Sequence, residues 1–361
     1  MNYYRPVVRL AFMGYGHVAR ETIKLLHEKA ASLPFSPAIA GIYTRKLGYR
    51  WVPGKAFFPH EIVQELPPAR RVQGGPHKFI ERVQADVVIE LTHPNIDERG
   101  EPAAGYIRTA LETGKHVVTA NKGPIAFHYA ELLNLARKHR RLLRFESTVA
   151  DGLPIFNLVR YSLPLTRIGR VRGLLNSTAN YVLSRMAAGV PQMRAVAEAR
   201  AAGIAEADFQ LDLDGWDSAI KCMVLANVLW QPIELENITR DAFDQRAQEI
   251  IARAAASGGK PQQVVTLTRS ENGDVHAAVR LQVTPPGDPF YSLSGYDLGL
   301  ILETDTMGNL FLVEQSPGLR QTAFGVLADL VDIYLRGIAP QREPTLFDAD
   351  PEQSATLTDD A

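Results

Sequence analysis

The sequence has little of what marks secreted, membrane-spanning and nucleic-acid-binding proteins. Its 361 residues include one cysteine, Cys222, which excludes an intrachain disulfide framework and fits a reducing compartment. No apolar run approaches the roughly 20 residues that a membrane-spanning helix needs. The formal net charge of -1 provides no basic field for nucleic acid.

Two further absences concern targeting and metal binding. The first residues, MNYYRPVVRLAFMGYG, lack a basic segment followed by a long apolar run, so no signal peptide is predicted. The nine histidines show no spacing typical of a zinc site. We therefore expect a cytoplasmic protein that acts on a small molecule and binds neither membrane nor nucleic acid.

The first part of the chain alternates strand-like and helix-like segments. Such alternation predicts an α/β fold with a Rossmann-type, doubly wound parallel sheet covered by helices on both faces. The predicted strands are 7–13, 38–44, 85–91, 116–119 and 142–145, and the clearest helices between them are 18–26, 106–113 and 126–138.

The rest of the chain predicts a second, α+β domain. Helical spacing occurs at 154–162, 179–188, 193–202, 214–229 and 321–335, and the segment 264–313 has mostly strand patterns. We expect one domain over 1–148, completed by the helix within 318–338, and another over 149–317. The segment 339–361 is rich in Pro, Asp, Glu and Thr, which predicts a mobile acidic tail.

A glycine pattern follows the first predicted strand and opens the first predicted helix. It reads Gly14-x-Gly16-x-x-Ala19, a permitted form of the dinucleotide fingerprint, with His17 and Val18 inside it. Gly14 allows a tight turn, Gly16 lets a pyrophosphate approach the backbone, and Ala19 allows close packing. A plain tight turn is the alternative, but the position between strand and helix favours a nucleotide site.

The end of the second predicted strand bears on the choice of cofactor. NAD-selective sites usually place an acid here to hold the ribose 2′-hydroxyl, whereas this chain has Thr44, Arg45 and Lys46. The two cations predict contact with a 2′-phosphate and therefore NADP, with NAD possible. Ordinary solvated loop cations are the alternative.

A short acidic stretch precedes and enters the helix predicted over 214–229. Asp214 is the expected N-cap, and Asp217 and Lys221 lie four positions apart on one face. A surface salt bridge is the simple interpretation, but the helix is apolar around much of its circumference. Desolvation would lower the pKa of Lys221 and the charge of Asp217 would raise it, and the sequence does not decide which effect is larger. A lysine of this kind can exchange a proton with a substrate hydroxyl.

Two other segments carry candidate residues. Lys122, in TANKGP, follows a strand at the carboxyl edge of the predicted sheet, where open α/β folds bind ligands. A solvated loop lysine is the alternative. The turn over 146–154, ESTVADGLP, is typical of a domain hinge, or of a cation site made from backbone carbonyls.

These segments together resemble homoserine dehydrogenase. The resemblance rests on the stretch 205–221, on TANKGP, on ESTVADGLPIF and on GLLNSTANYVL; it is strong over residues 7–230 and looser to 337. It implies interconversion of L-homoserine and aspartate semialdehyde by hydride transfer with NAD(P). It also implies a nucleotide-binding domain, a dimerisation and substrate-binding domain, and a homodimer.

The resemblance also assigns roles to individual residues. Lys221 matches the proton donor, and Lys122 matches a second lysine near the reacting oxygen and the cofactor. The implied substrate-binding acids are Glu206, which would pair with the substrate ammonium, Asp212 and Asp217. Further cofactor contacts are implied at Thr92, Gly203 and Gly318, and a possible sodium site at Glu146, Val149, Asp151 and Leu153.

Some positions depart from the family pattern. Asp151 replaces a residue that is often small, and GYDLG at 295–299 and EQSPG at 314–318 differ from the usual sequences. These departures keep open a divergent dinucleotide-binding paralogue with an altered substrate or a regulatory, non-catalytic role. A thioester-forming aldehyde dehydrogenase would need Cys222 as its nucleophile, but the apolar neighbours favour a buried structural thiol. No appended regulatory domain is recognised, so end-product feedback is not expected.

Overall fold

The computed structural model describes residues 5–70, 74–205, 209–293 and 295–339. The predicted substrate acid Glu206 lies outside these ranges, as does nearly all of the predicted acidic tail. The described chain contains a seven-stranded sheet and a six-stranded sheet.

The seven-stranded sheet is the predicted doubly wound sheet with two extra strands. Five strands are parallel, and strands are added in opposite directions on the two sides of β1, which creates a switch point at their carboxyl ends. In spatial order the strands are β4 (Ala69–Arg70), β3 (Gly48–Trp51), β2 (Ser36–Thr44), β1 (Val7–Met13), β5 (Val87–Glu90), β6 (His116–Thr119) and β7 (Leu143–Arg144). The predicted parallel strands are confirmed. The short antiparallel β3 and β4, which the sequence analysis missed, make the sheet mixed.

Helices cover this sheet because their apolar residues recur at helical spacing. On the first helix Ala19, Ile23 and Leu26 are buried in the same core as Val326 and Leu330 of the last helix. The late helix therefore shares a core with the first sheet, and the domain bounds at residues 148 and 317 stay a prediction. The helices are α1 (His17–Glu28), α2 (Pro59–Gln64), α3 (Gly75–Arg82), α4 (Ala103–Glu112) and α5 (Lys122–Lys138).

The second part of the chain forms the six-stranded sheet and its helices. Neighbouring strands are antiparallel except for one short parallel pair at an edge. The elements are α6 (Ile155–Ser162), β8 (Ile168–Leu174), α7 (Ser177–Ala187), α8 (Gln192–Ala201), α9 (Gln210–Leu213), α10 (Trp216–Leu229), β9 (Thr239–Arg240), α11 (Gln245–Ser257), β10 (Lys260–Arg269), β11 (Val275–Thr284), β12 (Leu298–Thr304), β13 (Gly308–Glu314) and α12 (Leu319–Ile333). Their spatial order is β13-β12-β8-β10-β11-β9, which confirms the predicted α+β character.

The helix α10 packs against α5 and against β10 and β11, and it is buried on most sides. The prediction that Asp214 caps it is wrong, because Asp214 ends α9 and Gly215 precedes α10. Gly215 has a φ of 73°, a left-handed conformation that glycine adopts at little cost. The reversal between the two helices requires that conformation, so the turn rather than a side-chain cap starts α10.

Within the described ranges, no helix has the length and apolar character that crossing a membrane requires.

Candidate active site

Asp217 is the centre of a buried group of charges between the two sheets. Its carboxylate contacts the ammonium of Lys122, the first residue of α5, and the ammonium of Lys221, 2.9 Å away on α10. The three side chains are only 12–19% exposed, which rules out the simple surface salt bridge. Burial alone would raise the pKa of Asp217, but the two lysines hold it well below its usual range.

Lys221 is held from two directions. Besides Asp217, its Nζ donates a 2.5 Å hydrogen bond to the carbonyl oxygen of Leu175, at the end of β8. An ammonium group has three hydrogens. Two of them are directed at the Asp217 carboxylate and this carbonyl, so the third direction can face a substrate oxygen.

Asn176 links the predicted acids to each other. Its side-chain nitrogen donates to Asp212 Oδ1 at 2.8 Å and to Asp217 Oδ2 at 3.0 Å. Its side-chain oxygen accepts from Ala179 N at 2.8 Å and so caps α7. Burial, together with the charge of Asp217, raises the pKa of Asp212 to about 6. One amide therefore places two carboxyl groups and starts a helix.

Gln263 on β10 holds the two segments that carry Asp212 and Asp217. Its side-chain nitrogen donates to the carbonyl oxygens of Asp212 and Leu213, and its side-chain oxygen accepts from Ser218 at 2.8 Å. Sequence reasoning missed Asn176 and Gln263 as site residues. Asn176 lies inside the NSTANY segment, where an Asn before a helix is typical of a cap, so a signal was present. The glutamine pair 262–263 inside a strand carries none.

The glycine loop has the geometry that the fingerprint predicts. Gly14 has a φ of 104°, and a Cβ there would collide with the carbonyl oxygen of Leu91. Gly16 precedes α1, and a Cβ there would meet nothing within 4 Å. No side chain caps this helix end. Open space and uncapped N–H groups at a helix N-terminus fit a bound pyrophosphate.

Other residues of the loop differ in exposure. Ala19 is buried under the sheet, Val18 is half-buried and His17 is exposed. Thr92 follows β5 directly beside Gly14, since its backbone nitrogen lies 3.0 Å from the position that a Gly14 Cβ would take. The carboxyl ends of β1 and β5 therefore meet at this loop.

The predicted cofactor-selecting residues lie in the tight turn between β2 and β3. Thr44 closes the turn by accepting a 2.7 Å hydrogen bond from Leu47 N, and Arg45 and Lys46 are exposed at its tip. The turn arises because β3 returns antiparallel to β2, which places both cations at the carboxyl end of β2.

The two remaining glycines of the predicted cofactor site lie at helix ends. Gly318 precedes α12, where Arg320 forms ion pairs with Glu21 and Glu28 of α1. It therefore lies beside α1, the helix that follows the glycine loop. Gly203 follows α8 with a φ of 73°, and the carbonyl oxygen of the next residue accepts from Thr178 at 3.1 Å. This contact places Gly203 beside the start of α7, near the acids.

The predicted cation segment joins the two sheets. The carboxylate of Glu146 accepts from the amides of Phe156 (2.7 Å) and Asn157 (2.8 Å), at the start of α6. These bonds occupy its carboxylate, so the predicted cation site would have to use the main-chain carbonyl of Glu146. Val149 and Leu153 are buried, and the Leu153 carbonyl already accepts from Ile155 N at 2.8 Å. The described ranges hold no cluster of three His, Cys, Asp or Glu side chains suited to a metal.

Asp151 and Glu314 form an acidic pair that sequence reasoning did not connect. Asp151 Oδ1 accepts from Thr322 of α12 at 3.0 Å, and the carboxylate of Glu314 accepts from Gly152 N at 3.3 Å. Burial raises the pKa of Asp151. Burial, with the charge of Asp151, raises the pKa of Glu314 to about 7. Two departures from the family pattern thus lie next to each other.

The rival nucleophile is not built for catalysis. Cys222 is fully buried, and burial raises the pKa of its thiol to about 12. A thiol of that kind holds very little thiolate near neutral pH. The interpretation as a structural thiol is confirmed, and the thioester mechanism loses its only candidate.

Comparison with known proteins covers both sheets. Residues 14–146 match the family model described as homoserine dehydrogenase, NAD binding domain, and residues 154–331 match the model described as homoserine dehydrogenase. An NAD(+)-dependent homoserine dehydrogenase from Pseudomonas canavaninivorans is 30% identical over 340 residues, which cover 90% of this chain and 96% of the relative. A homoserine dehydrogenase from Sulfurisphaera tokodaii is 30% identical over 330 residues, covering 90% and 98%.

A solved structure agrees with these relatives. The homoserine dehydrogenase from Thermoplasma acidophilum superposes with a TM-score of 0.78 at 25% identity, covering 91% of this chain and 99% of that one. Because the similarity spans the cofactor sheet and the second part of the chain, where α10 carries Asp217 and Lys221, a non-catalytic paralogue is not favoured. This chain therefore belongs to the homoserine dehydrogenase family and is an NAD(P)-dependent oxidoreductase.

Proposed function

We propose that this protein interconverts L-homoserine and L-aspartate 4-semialdehyde, with Lys221 exchanging the proton of the reacting oxygen. The observation that carries the proposal is the Asp217 carboxylate, which holds Lys122 and Lys221 together where the two sheets meet. A dinucleotide-binding protein without chemistry to perform would have no need for two lysines on one buried acid.

Each lysine has a separate part in this proposal. In homoserine oxidation the neutral amine of Lys221 takes the hydroxyl proton, and in the reverse direction its ammonium returns the proton to the carbonyl oxygen. Lys122 stabilises negative charge on the same oxygen. Asp217 keeps both nitrogens in place. The nicotinamide, when bound, would accept a hydride from the substrate carbon in oxidation and supply one to it in reduction.

The substrate ammonium would bind among the acids. We assign this role to Glu206, Asp212 and Asp217, in keeping with the family motif. The link from Asn176 to both aspartates supports a single acidic pocket. The domain division at residues 148 and 317 belongs to the same proposal, with substrate held on the second domain.

The dinucleotide would bind along the carboxyl edge of the first sheet. The open space at Gly16 and the uncapped start of α1 support its pyrophosphate there. The residues proposed to hold it are Gly14, Gly16, His17, Val18, Ala19, Thr44, Arg45, Lys46, Thr92, Lys122, Gly203 and Gly318.

We propose NADP as the preferred cofactor because Arg45 and Lys46 are exposed at the end of β2, where a 2′-phosphate would lie. The double variant Arg45→Ala/Lys46→Ala should lower the ratio of kcat/KM for NADP to that for NAD by about tenfold, from two lost ionic contacts. Lys55→Ala, an exposed loop cation, is the control. An unchanged ratio would leave NAD, the cofactor in the name of the Pseudomonas relative, as the better assignment.

The proposal also includes a sodium ion and a homodimer. A sodium ion would bind the main-chain carbonyls of Glu146, Val149, Asp151 and Leu153. Comparing reaction rates in matched sodium and potassium salts would reveal it.

A homodimer is supported by the exposed Phe311 and Val313 on β13, which forms an edge of the second sheet. Sedimentation equilibrium of the purified chain would measure the assembly directly.

The function is tested by absorbance at the reduced nicotinamide band, with purified protein, L-homoserine and NAD or NADP at alkaline pH. We expect a homoserine-dependent signal that Lys221→Ala reduces by about a hundredfold or more, while dinucleotide binding is kept. Lys260→Ala is the matched control, because Lys260 also donates to a main-chain carbonyl, that of Leu293 at 3.0 Å. Full turnover in Lys221→Ala would refute the proton-exchange role.

A further inference from the structure

Glu90 is a buried carboxyl group that the proposed chemistry does not use. It ends β5, beside the glycine loop, and its exposed fraction is 0%. Burying a carboxyl group is costly unless hydrogen bonds compensate. The partners of Glu90 therefore show what the group is there to hold.

Those partners come from the ends of two neighbouring strands. Glu90 Oε1 accepts from Thr92 N at 2.8 Å and also from the Thr92 hydroxyl. Glu90 Oε2 accepts from the Thr119 hydroxyl at 2.9 Å. One carboxyl group thereby ties the segment after β5 to the last residue of β6.

Asn121 extends this tie to the reaction centre. Its backbone nitrogen donates to the Thr119 hydroxyl at 3.0 Å, and its side-chain nitrogen donates to the Thr92 carbonyl at 3.3 Å. Its side-chain oxygen accepts from Gly123 N at 3.0 Å and caps α5. The first residue of that helix is Lys122, whose ammonium contacts Asp217.

Hydrogen-bond donors face both carboxylate oxygens of Glu90, so each oxygen acts as an acceptor. The Thr92 backbone N–H can only donate. The Thr119 hydroxyl accepts from Asn121 N–H and donates to Glu90 Oε2. Burial raises the pKa of Glu90 above its usual range, and these hydrogen bonds offset only part of that rise. In a Glu90→Gln variant the side-chain NH2 would face one of these donors, Thr92 or Thr119, in place of an accepting oxygen.

We infer that Glu90 is a positioning residue, which fixes Lys122 and the Thr92 side of the cofactor site by tying β5, β6 and the start of α5 together. The inference rests on the proposed function. It adds a residue that touches neither the reacting atoms nor Asp217 and acts through Thr92, Thr119 and Asn121.

The test compares Glu90→Gln with Asp288→Asn. Asp288 is a suitable control, because its carboxylate also accepts a backbone N–H, from Phe290, and a side-chain donor, Arg172, but in the second sheet. We measure kcat and KM for homoserine, the dissociation constant of reduced dinucleotide by fluorescence, and the melting temperature. Because a displaced lysine harms turnover more than substrate binding, kcat should fall about tenfold in Glu90→Gln with a nearly unchanged KM.

The binding measurement gives a result that does not depend on turnover. The dissociation constant of reduced dinucleotide should rise about fivefold in Glu90→Gln, the effect of about one lost hydrogen bond. Asp288→Asn should change neither quantity. A kcat and a dissociation constant that both stay within about twofold of wild type would overturn the inference.

Thr119 supplies a second, gentler test. Thr119→Ser keeps the hydroxyl and should behave like wild type, whereas Thr119→Val removes it and should lose kcat as Glu90→Gln does. The double variant Glu90→Gln/Thr119→Val should be no worse than the poorer single variant, since both break one network. If the losses of kcat in the two single variants multiply in the double variant, the two residues act independently and the inference is overturned.

If wild-type protein does not turn over homoserine, the proposed function fails, while the dissociation constants still decide the role of Glu90.

Discussion

The cofactor half and the proton-transfer half of the reaction centre are built in different ways. Gly14, Gly16 and Ala19 belong to one short segment and act through backbone conformation and small size. Asp217 receives Lys122 from 95 positions away and Asn176 from 41 positions away. The glycine loop of the first half is complete within one segment, whereas the second half exists only when the two sheets come together.

The largest effect should come from the proton-transfer half. Asp217→Asn leaves the Lys122 and Lys221 ammonium groups close together without their shared anion, which disturbs both nitrogens. We expect kcat to fall by about a hundredfold or more, the scale of losing an electrostatic contact in a closed site. Steady-state kinetics and the melting temperature of the variant measure the loss.

Asp241→Asn is the matched control for that change. Asp241 also faces two cations, Arg280 at 2.7 Å and Arg246 at 3.9 Å, but it lies beside β9 and β11 rather than at the site. Its kcat should stay near the wild-type value. Equal losses of kcat in both variants would mean that buried ion pairs stabilise the fold generally and would remove the special position of Asp217.

The cofactor half predicts an effect of a different kind. Gly14→Ala places a Cβ against the Leu91 carbonyl oxygen at a φ of 104°, so the free energy of unfolding should fall by about 1–3 kcal/mol. Gly16→Ala meets no protein atom, so its stability should stay near wild type while dinucleotide binding weakens. Chemical denaturation and fluorescence titration separate the two outcomes. Equal loss of stability in both variants would contradict the assignment of Gly16 to ligand approach.

The smallest expected effect concerns Glu314, between the two halves. Its pKa is about 7 in the folded protein against an ordinary 4.5, so the unfolded chain releases its proton first as the pH rises. Stability should therefore fall as the pH rises from 4.5 to 7, and Glu314→Gln should remove that part of the fall. Because Glu314 is only half-buried, the gain in melting temperature at pH 8 should be only about 2–4 °C.

Thermal unfolding of both proteins at pH 5 and pH 8 checks this sign. The variant should exceed wild type at pH 8, and the difference should shrink at pH 5, where Glu314 is protonated in the folded protein. A variant that is less stable than wild type at pH 8 would show that the ionised Glu314 is favourably paired.

The predictability of the fold follows the same division. The strands β1, β2, β5 and β6 were predictable because buried parallel strands are continuous apolar runs. The short β3 and β4 were missed, since two to four residues at a sheet edge carry no periodic pattern. Gly215, not Asp214, precedes α10, because the turn from α9 needs a left-handed residue that capping preferences do not reveal.

The glycine loop and the pairing of Asp217 with Lys221 follow from the amino-acid sequence, because both depend on spacing along a single segment. Folding adds what no segment contains: Lys122 joins that pair, Asn176 links Asp212 to Asp217, the pKa of Asp212 rises and Glu90 is buried among strand ends. These features arise because burial and charge act through space. The groups that supply them here come from segments far apart in the chain.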